Sequence, residues 1–266
     1  MPTLREYKKR LKSAETISQL SGAMRSASMA KYMKLSAAND AFAPYAEALE
    51  GFARTAGGEA RAPAAEGTLW VLLSGNHGLC GGYHHELFSF FSGRLGKPGP
   101  DDGFITCGQK GYDFCRTKKL PTEEHFRFED IPAFDDARAL SASIREHARG
   151  RRVVVVYQRF YNMLKCLPET AELPAGAAET EDGGDLLFIP DRRTVTNELI
   201  PLTLASKVYS LLLSASAAAQ ASTVIAMRSA FDNASSSIEE LETRINRLRQ
   251  AAVTASVLET SADIKE

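Results

Sequence analysis

The stretch "SGNHGLCGGYHH", residues 74–85, sets His77, Cys80, His84 and His85 among glycines. Imidazole and thiolate are the ligands zinc prefers. A cysteine beside a histidine is also the raw material of a nucleophile. A glycine-rich turn between a strand and a helix is where α/β folds cradle phosphates. Each chemistry asks for more than this stretch offers. The ligand spacing matches no zinc motif, and adjacent His84 and His85 would point to different sides of a helix start. No Asn or Asp is placed to orient a base, and "GLCGG" is not a nucleophile elbow. G-x-x-G-G is neither G-x-G-x-x-G nor G-x-x-x-x-G-K-[ST], and no lysine follows. What remains is mechanical: Gly78, Gly81 and Gly82 permit a tight strand-to-helix reversal. No catalytic residue, metal ligand or cofactor is expected.

The elements around the turn alternate. "LWVLLS" (69–74) reads as a strand, His84–Leu95 as a helix and "FITCG" (104–108) as a second strand. Helices over Tyr112–Lys119 and Asp136–Ala148 follow, then strands "RVVVVY" (152–157) and "DLLFI" (185–189). This order predicts a small open α/β sheet, Rossmann-like and largely parallel, over residues 67–190. The Ala/Gly-rich residues 51–67 and the acidic tract 169–184 read as loops.

The two ends of the chain are different in kind. Residues 202–266 contain neither glycine nor proline, so nothing interrupts a helix. Thr196 or Asn197 is the expected cap, with Pro201 in the first turn. Ala234, Ile238, Leu241, Ile245, Leu248 and Ala252 step by 4-3-4-3-4, a heptad seam. At the other end Pro2 suits a first turn, and no further proline occurs before Pro44. Leu4, Tyr7, Leu11, Ala14 and Ile17, then Met24 and Ala27, form an apolar stripe blemished by Gly22. A long helix with an apolar seam needs a partner. The expected architecture is an antiparallel coiled coil of residues 1–55 and 197–266, with the α/β domain inserted between its strands. Small-residue runs at 21–30 and 214–222 would let the two backbones approach closely.

Composition narrows the classes of function. Net charge is −1, with 44% hydrophobic and 24% charged residues, so nothing global points to nucleic acid or lipid. Lys and Arg do gather in the first 35 residues, as Arg5, Lys8, Lys9, Arg10, Lys12, Arg25, Lys31 and Lys34. No aromatic or groove-reading pattern accompanies them, and no nucleic-acid partner is expected. Cys80, Cys107, Cys115 and Cys166 are scattered without CxxC spacing, which predicts free thiols in a reducing compartment. The runs "LWVLL" and "VVVV" fall short of the ~18–20 residues that span a bilayer, and the N-terminus has no signal-peptide core. A soluble, intracellular chain without membrane insertion is expected.

Three segments in order resemble the gamma subunit of F-type ATP synthases. "LREYKKRLKSAETISQLSGAMRSASMAKY" follows that family's basic helix leading into I-T-K-A-M-K-M-V-A-A-x-K. "SGNHGLCGG" is similar to its S-D-R-G-L-C-G-G. "AMRSAFDNASSSIEELETRINRLRQAAVT" is similar to A-M-K-x-A-T-D-N-A … Y-N-R-A-R-Q-A-x-I-T. Departures fall at Asn76-His77, at His84 and Glu86, and at Thr223 and Ser256, where the family carries Arg and Glu. The resemblance implies a non-catalytic rotor shaft on the cytoplasmic face of a bacterial-type plasma membrane. Its implied partners are the alpha and beta subunits of the catalytic hexamer, the epsilon subunit and the c-subunit membrane ring. By matching position, Arg25, Lys31, Arg249, Gln250 and Thr254 are the expected contacts with the hexamer. A small nucleotide- or metal-binding enzyme with helical arms, or a coiled-coil adaptor, are the alternatives.

Overall fold

A computed structural model describes residues 3–55, 67–148, 150–173, 189 and 191–263. Ten elements follow in chain order: α1 (Leu4–Thr55), β1 (Thr68–Leu73), α2 (Tyr83–Leu95), β2 (Gly103–Cys107) and α3 (Gln109–Thr117) come first. Then come β3 (Thr122–Phe126), α4 (Phe134–Ala148), β4 (Arg152–Asn162), β5 (Lys165–Leu173) and α5 (Arg192–Asp263). They fall into two compact units, one of Met1–Ala27 with Val224–Glu266 and one of Ser28–Thr223.

The larger unit holds a five-stranded sheet in the order β3-β2-β1-β4-β5. The first four strands are parallel and β5 runs antiparallel to β4. Alternate residues on each strand face opposite layers. Leu69, Val71, Ile105 and Val155 pack on Leu140 and Ile144 of α4 and on Leu204 and Val208 of α5. Trp70, Leu72, Phe104 and Val154 pack on Leu87 and Phe91 of α2 and Cys115 of α3. Strands buried on both faces read as continuous apolar runs, as "LWVLL" and "VVVV" do.

Two strands depart from expectation. β3, "TEEHF", is a half-exposed edge with a register shift at Phe104/Ile105, so it carries no apolar run. The tract 169–184, expected as a loop, begins inside β5: Glu169–Leu173 pair with Tyr157–Val153 of β4. Pro168 sits in this edge strand, where a missing N–H costs no ladder bond. The expected strand 185–189 lies outside the described residues apart from Ile189, as do Pro2 and residues 56–66; α1 reaches Thr55.

α1 has 52 residues and ends at Thr55, where the expected 1–55 segment ends, while α5 has 72 and begins at Arg192, ahead of the expected 197. Thr3 and Glu6 form a capping box: Thr3 N–H donates to Glu6 Oε2 at 2.8 Å, and Glu6 N–H to Thr3 Oγ1 at 3.4 Å. α5 starts earlier than Thr196 or Asn197, because Asp191 Oδ1 accepts the Thr194 N–H at 2.9 Å. Pro201 therefore lies inside α5, and Pro44 inside α1. α5 is long and apolar enough to cross a membrane by length and composition, but half of its most apolar window is buried within the fold.

Within the larger unit the two helices run antiparallel. Leu35 packs on Leu213 and Ala217, the Phe42 ring meets Tyr209 edge-on at 4.8 Å, and Glu50 lies 3.9 Å from Lys207. In the smaller unit the Phe231 ring lies beside Gly22 and under Arg25. The α5 seam is graded: Ala234 is buried, Ile238, Leu241 and Ile245 are half-buried, and Leu248 and Ala252 are exposed. The α1 stripe differs from expectation past Ala14. Ile17 is 52% exposed and Ala27 is exposed, whereas Met24 is half-buried as expected; Ser18, Ser21, Gly22, Arg25 and Ser28 are covered beside it. Small hydroxyl side chains let the helix axes come close, whereas Ile or Leu there would hold them apart.

Candidate interaction surfaces

The turn between β1 and α2 stands at the carboxyl edge of the sheet. Gly78, Gly81 and Gly82 all lie in it, and Gly81 has φ +58°. Leu79 shares the left-handed conformation at φ +64° and is 63% exposed. A leucine in that region costs about 1–2 kcal/mol, so the surrounding turn must hold it there. Nothing in residue type or spacing marks Leu79 beforehand.

Several polar groups at this edge are bonded within the chain, whereas His84 Nδ1 is buried without a hydrogen-bond partner among the described residues. Ser74 Oγ donates to the Cys107 carbonyl and accepts the Gly111 N–H, both at 2.8 Å. Asn76 Nδ2 donates to the Phe128 carbonyl at 2.5 Å, and Asn76 Oδ1 accepts the Gln109 N–H at 3.2 Å. The Lys110 N–H bonds the Gly75 carbonyl. The first-turn amides of α3, a ready anion site in many α/β proteins, are thus already capped. At α2, Glu86 Oε1 would stand 3.0 Å from a Cβ on Gly82, which places a carboxylate over the helix N-terminus where a phosphate would bind. Beneath the edge lies a cavity of about 50 Å³ lined in part by Asn76, Phe128, Asp130 and Gln220. That is room for water, not for a nucleotide.

Among the described residues no three His, Cys, Asp or Glu side chains converge on a metal position. His84 Nε2 lies 3.0 Å from the His77 carbonyl, and its ring stacks on Phe88. Burial lowers the His84 pKa and keeps the ring neutral. Burial raises the Cys80 thiol above its ordinary range and pushes Cys115 up to about 12 and Cys166 to about 11. Thiols so protonated are poor nucleophiles at neutral pH.

The helix residues expected to meet partners divide into two groups. Arg249, Gln250 and Thr254 are exposed on α5, with Thr254 Oγ1 donating to the Gln250 carbonyl. Arg25 is half-buried with its guanidinium carbon 5.1 Å from the Phe231 ring centroid. Lys31 Nζ lies 2.6 Å from Asp130 Oδ2. The Thr223 hydroxyl, where an Arg was expected from the resemblance, is bonded to the Ala219 carbonyl in its own helix.

Comparison with known proteins covers nearly the whole chain. The family model described as ATP synthase matches residues 3–262. The ATP synthase gamma chain of Moorella thermoacetica is 31% identical over 276 residues, 98% of each chain. That of Rubrobacter xylanophilus is 28% identical over 284 residues, 98% of this chain and 97% of the relative. Among solved structures, a chain of the Euglena gracilis mitochondrial ATP synthase (OSCP/F1/c-ring) superposes with a TM-score of 0.73. It is 16% identical and covers 98% of this chain and 93% of its own. A Tetrahymena thermophila central stalk/c-ring chain superposes with a TM-score of 0.64, 21% identity and coverage of 79% and 99%.

Proposed function

This chain belongs to the ATP synthase gamma chain family, and from that premise we propose that it is the torque-transmitting rotor of an F-type ATP synthase. In this reading it makes and breaks no bonds itself; the active sites lie on the alpha and beta subunits of a catalytic hexamer. The paired ends of the chain turn inside that hexamer. The α/β unit meets the epsilon subunit and the c-subunit ring of the membrane, so the protein works peripherally, at the cytoplasmic face of a bacterial plasma membrane. Solved structures with this fold are central-stalk and rotor chains of mitochondrial ATP synthases, which favours the assignment.

The single observation that carries the proposal is the clustering of the two chain ends into one compact unit, with Gly22 and Arg25 of α1 against Phe231 of α5. A lone helix with half its surface apolar would fray in water; two helices sharing one seam resist bending and twisting. A turning asymmetric shaft presents different contacts to each catalytic subunit. Differential contact free energy is what shifts a conformational equilibrium.

Arg249, Gln250 and Thr254, exposed near the end of α5, are the proposed hexamer contacts. Leu79, exposed at the tip of the Gly78–Gly82 turn in the α/β unit, is a candidate contact for the epsilon subunit or the c-subunit ring. The test is ATP-driven ion pumping by complexes carrying Arg249→Ala or Gln250→Ala. Pumping per ATP hydrolysed should fall while the chain still assembles. Fully retained coupling in both variants would contradict the placement of these contacts.

A further inference from the structure

The loop between β3 and α4, residues 127–133, touches two parts of the larger unit that the sheet does not itself join. From one side Lys31 of α1 reaches it, with Nζ 2.6 Å from Asp130 Oδ2. From the other side Asn76, in the turn after β1, donates from Nδ2 to the Phe128 carbonyl at 2.5 Å. Asn76 uses its second function as well, since its Oδ1 accepts the Gln109 N–H at the start of α3. The loop is closed at its ends too. The Gly108 N–H donates to the Phe126 carbonyl at 2.8 Å, and the Ala133 N–H to Asp136 Oδ2 at 2.8 Å.

We propose that Lys31 and Asp130 are positioning residues for torque transfer, a strut that, together with Asn76, makes α1 and the glycine turn move as one body. The proposal rests on the rotor reading for its function, though the strut itself stands on the geometry. Lys31 and Asp130 side chains are 43% and 26% exposed, and a pair so open to water adds little to folding stability. What it supplies instead is a directed polar contact between α1 and the loop, in addition to the Phe42–Phe134 ring contact of α1 with α4, 6.0 Å between centroids. Position 76 supports the same reading. The resembling family carries Asp there, and a carboxylate only accepts hydrogen bonds. An amide both donates and accepts, so Asn76 can hold the Phe128 carbonyl and the α3 amide at once. Lys31 is thereby assigned inside the chain, not to a neighbouring subunit.

Three variants of the assembled complex separate the possibilities: Lys31→Met, Asp130→Asn, and the reversed pair Lys31→Asp with Asp130→Lys. Each single variant should lower pumping per ATP hydrolysed severalfold at unchanged melting temperature, and the reversed pair should recover most of it. Loss of coupling in Lys31→Met alone, or a reversed pair no better than the singles, would overturn the strut and assign Lys31 to another subunit. Hydrogen exchange of the full-length chain provides a reading independent of assembly. The bonded amides that close the loop, Gly108 and Ala133, should exchange faster in Lys31→Met and in Asn76→Leu; unchanged exchange overturns the proposal. Failure of the wild-type chain to join any ATPase ring would sink the rotor reading while leaving the exchange result to judge the strut.

Discussion

The guanidinium of Arg25 lies over the ring of Phe231, 5.1 Å from its centroid, and so joins the first helix of the chain to the last. Phe231 also closes over Gly22, whose added Cβ would meet the ring at 3.6 Å. Truncating a fully buried Phe costs about 3–5 kcal/mol. Phe231 is half-buried, so Phe231→Ala should cost about 1–3 kcal/mol, including about 0.5–1 kcal/mol of cation–π attraction. Denaturant unfolding measures the total. Hydrogen exchange should localise the loss to Ser18–Ser28 and the facing turns of α5, and loss spread evenly over the sheet would contradict the pairing.

Gly22 offers a test of opposite sign. It sits inside α1, and a methyl group there finds only ordinary contact with the Phe231 ring. Alanine is a better helix former than glycine by about 0.8–1.0 kcal/mol. Gly22→Ala should therefore raise the melting temperature, and a fall would mean that the two helices lie closer at this level.

The glycines at the sheet edge should respond unequally. Gly108 has φ +90°, and its Cβ would stand 2.2 Å from the Ser74 carbonyl oxygen, so Gly108→Ala should cost more than about 2 kcal/mol. A Cβ on Gly78 would meet nothing within 4 Å, and Gly78→Ala should stay within about 0.5 kcal/mol of wild type. Equal losses would show that the turn is packed differently.

How far residue patterns alone reveal this architecture follows from what each pattern buries. Strands β1, β2 and β4 are covered on both faces and announce themselves as apolar runs; edge strands β3 and β5 are half wet and do not. On α1, the bulky Ile17 suggests a stripe that the structure leaves exposed; beside the half-buried Met24 the seam runs through Ser18, Ser21 and Ser28, where small size matters more than hydrophobicity. Residue patterns misplace the α5 start at Thr196 or Asn197, because the cap is Asp191, whose Oδ1 accepts the Thr194 N–H three residues on. Leu79 and the double role of Asn76 are not legible in residue type, since both depend on where distant loops arrive.

His84 sets a pH dependence. Burial, the largest influence, lowers its pKa below the ordinary 6.5; the His77 carbonyl raises it and Lys110 lowers it further. The unfolded chain therefore binds a proton more readily than the folded one. Stability from this residue is intact above the ordinary value of 6.5 and is lost as pH falls through 6.5 toward the lower folded value. Unfolding free energy should decline over that window, and His84→Gln should flatten this part of the decline. A profile identical to wild type would exclude His84 as its source.

The most direct check of the rotor assignment is the mass and composition of the native complex purified through this chain. One copy of the chain should emerge with a hexamer of alternating nucleotide-binding subunits. Recovery of the chain alone, as a homo-oligomer, or with several copies per hexamer would contradict it.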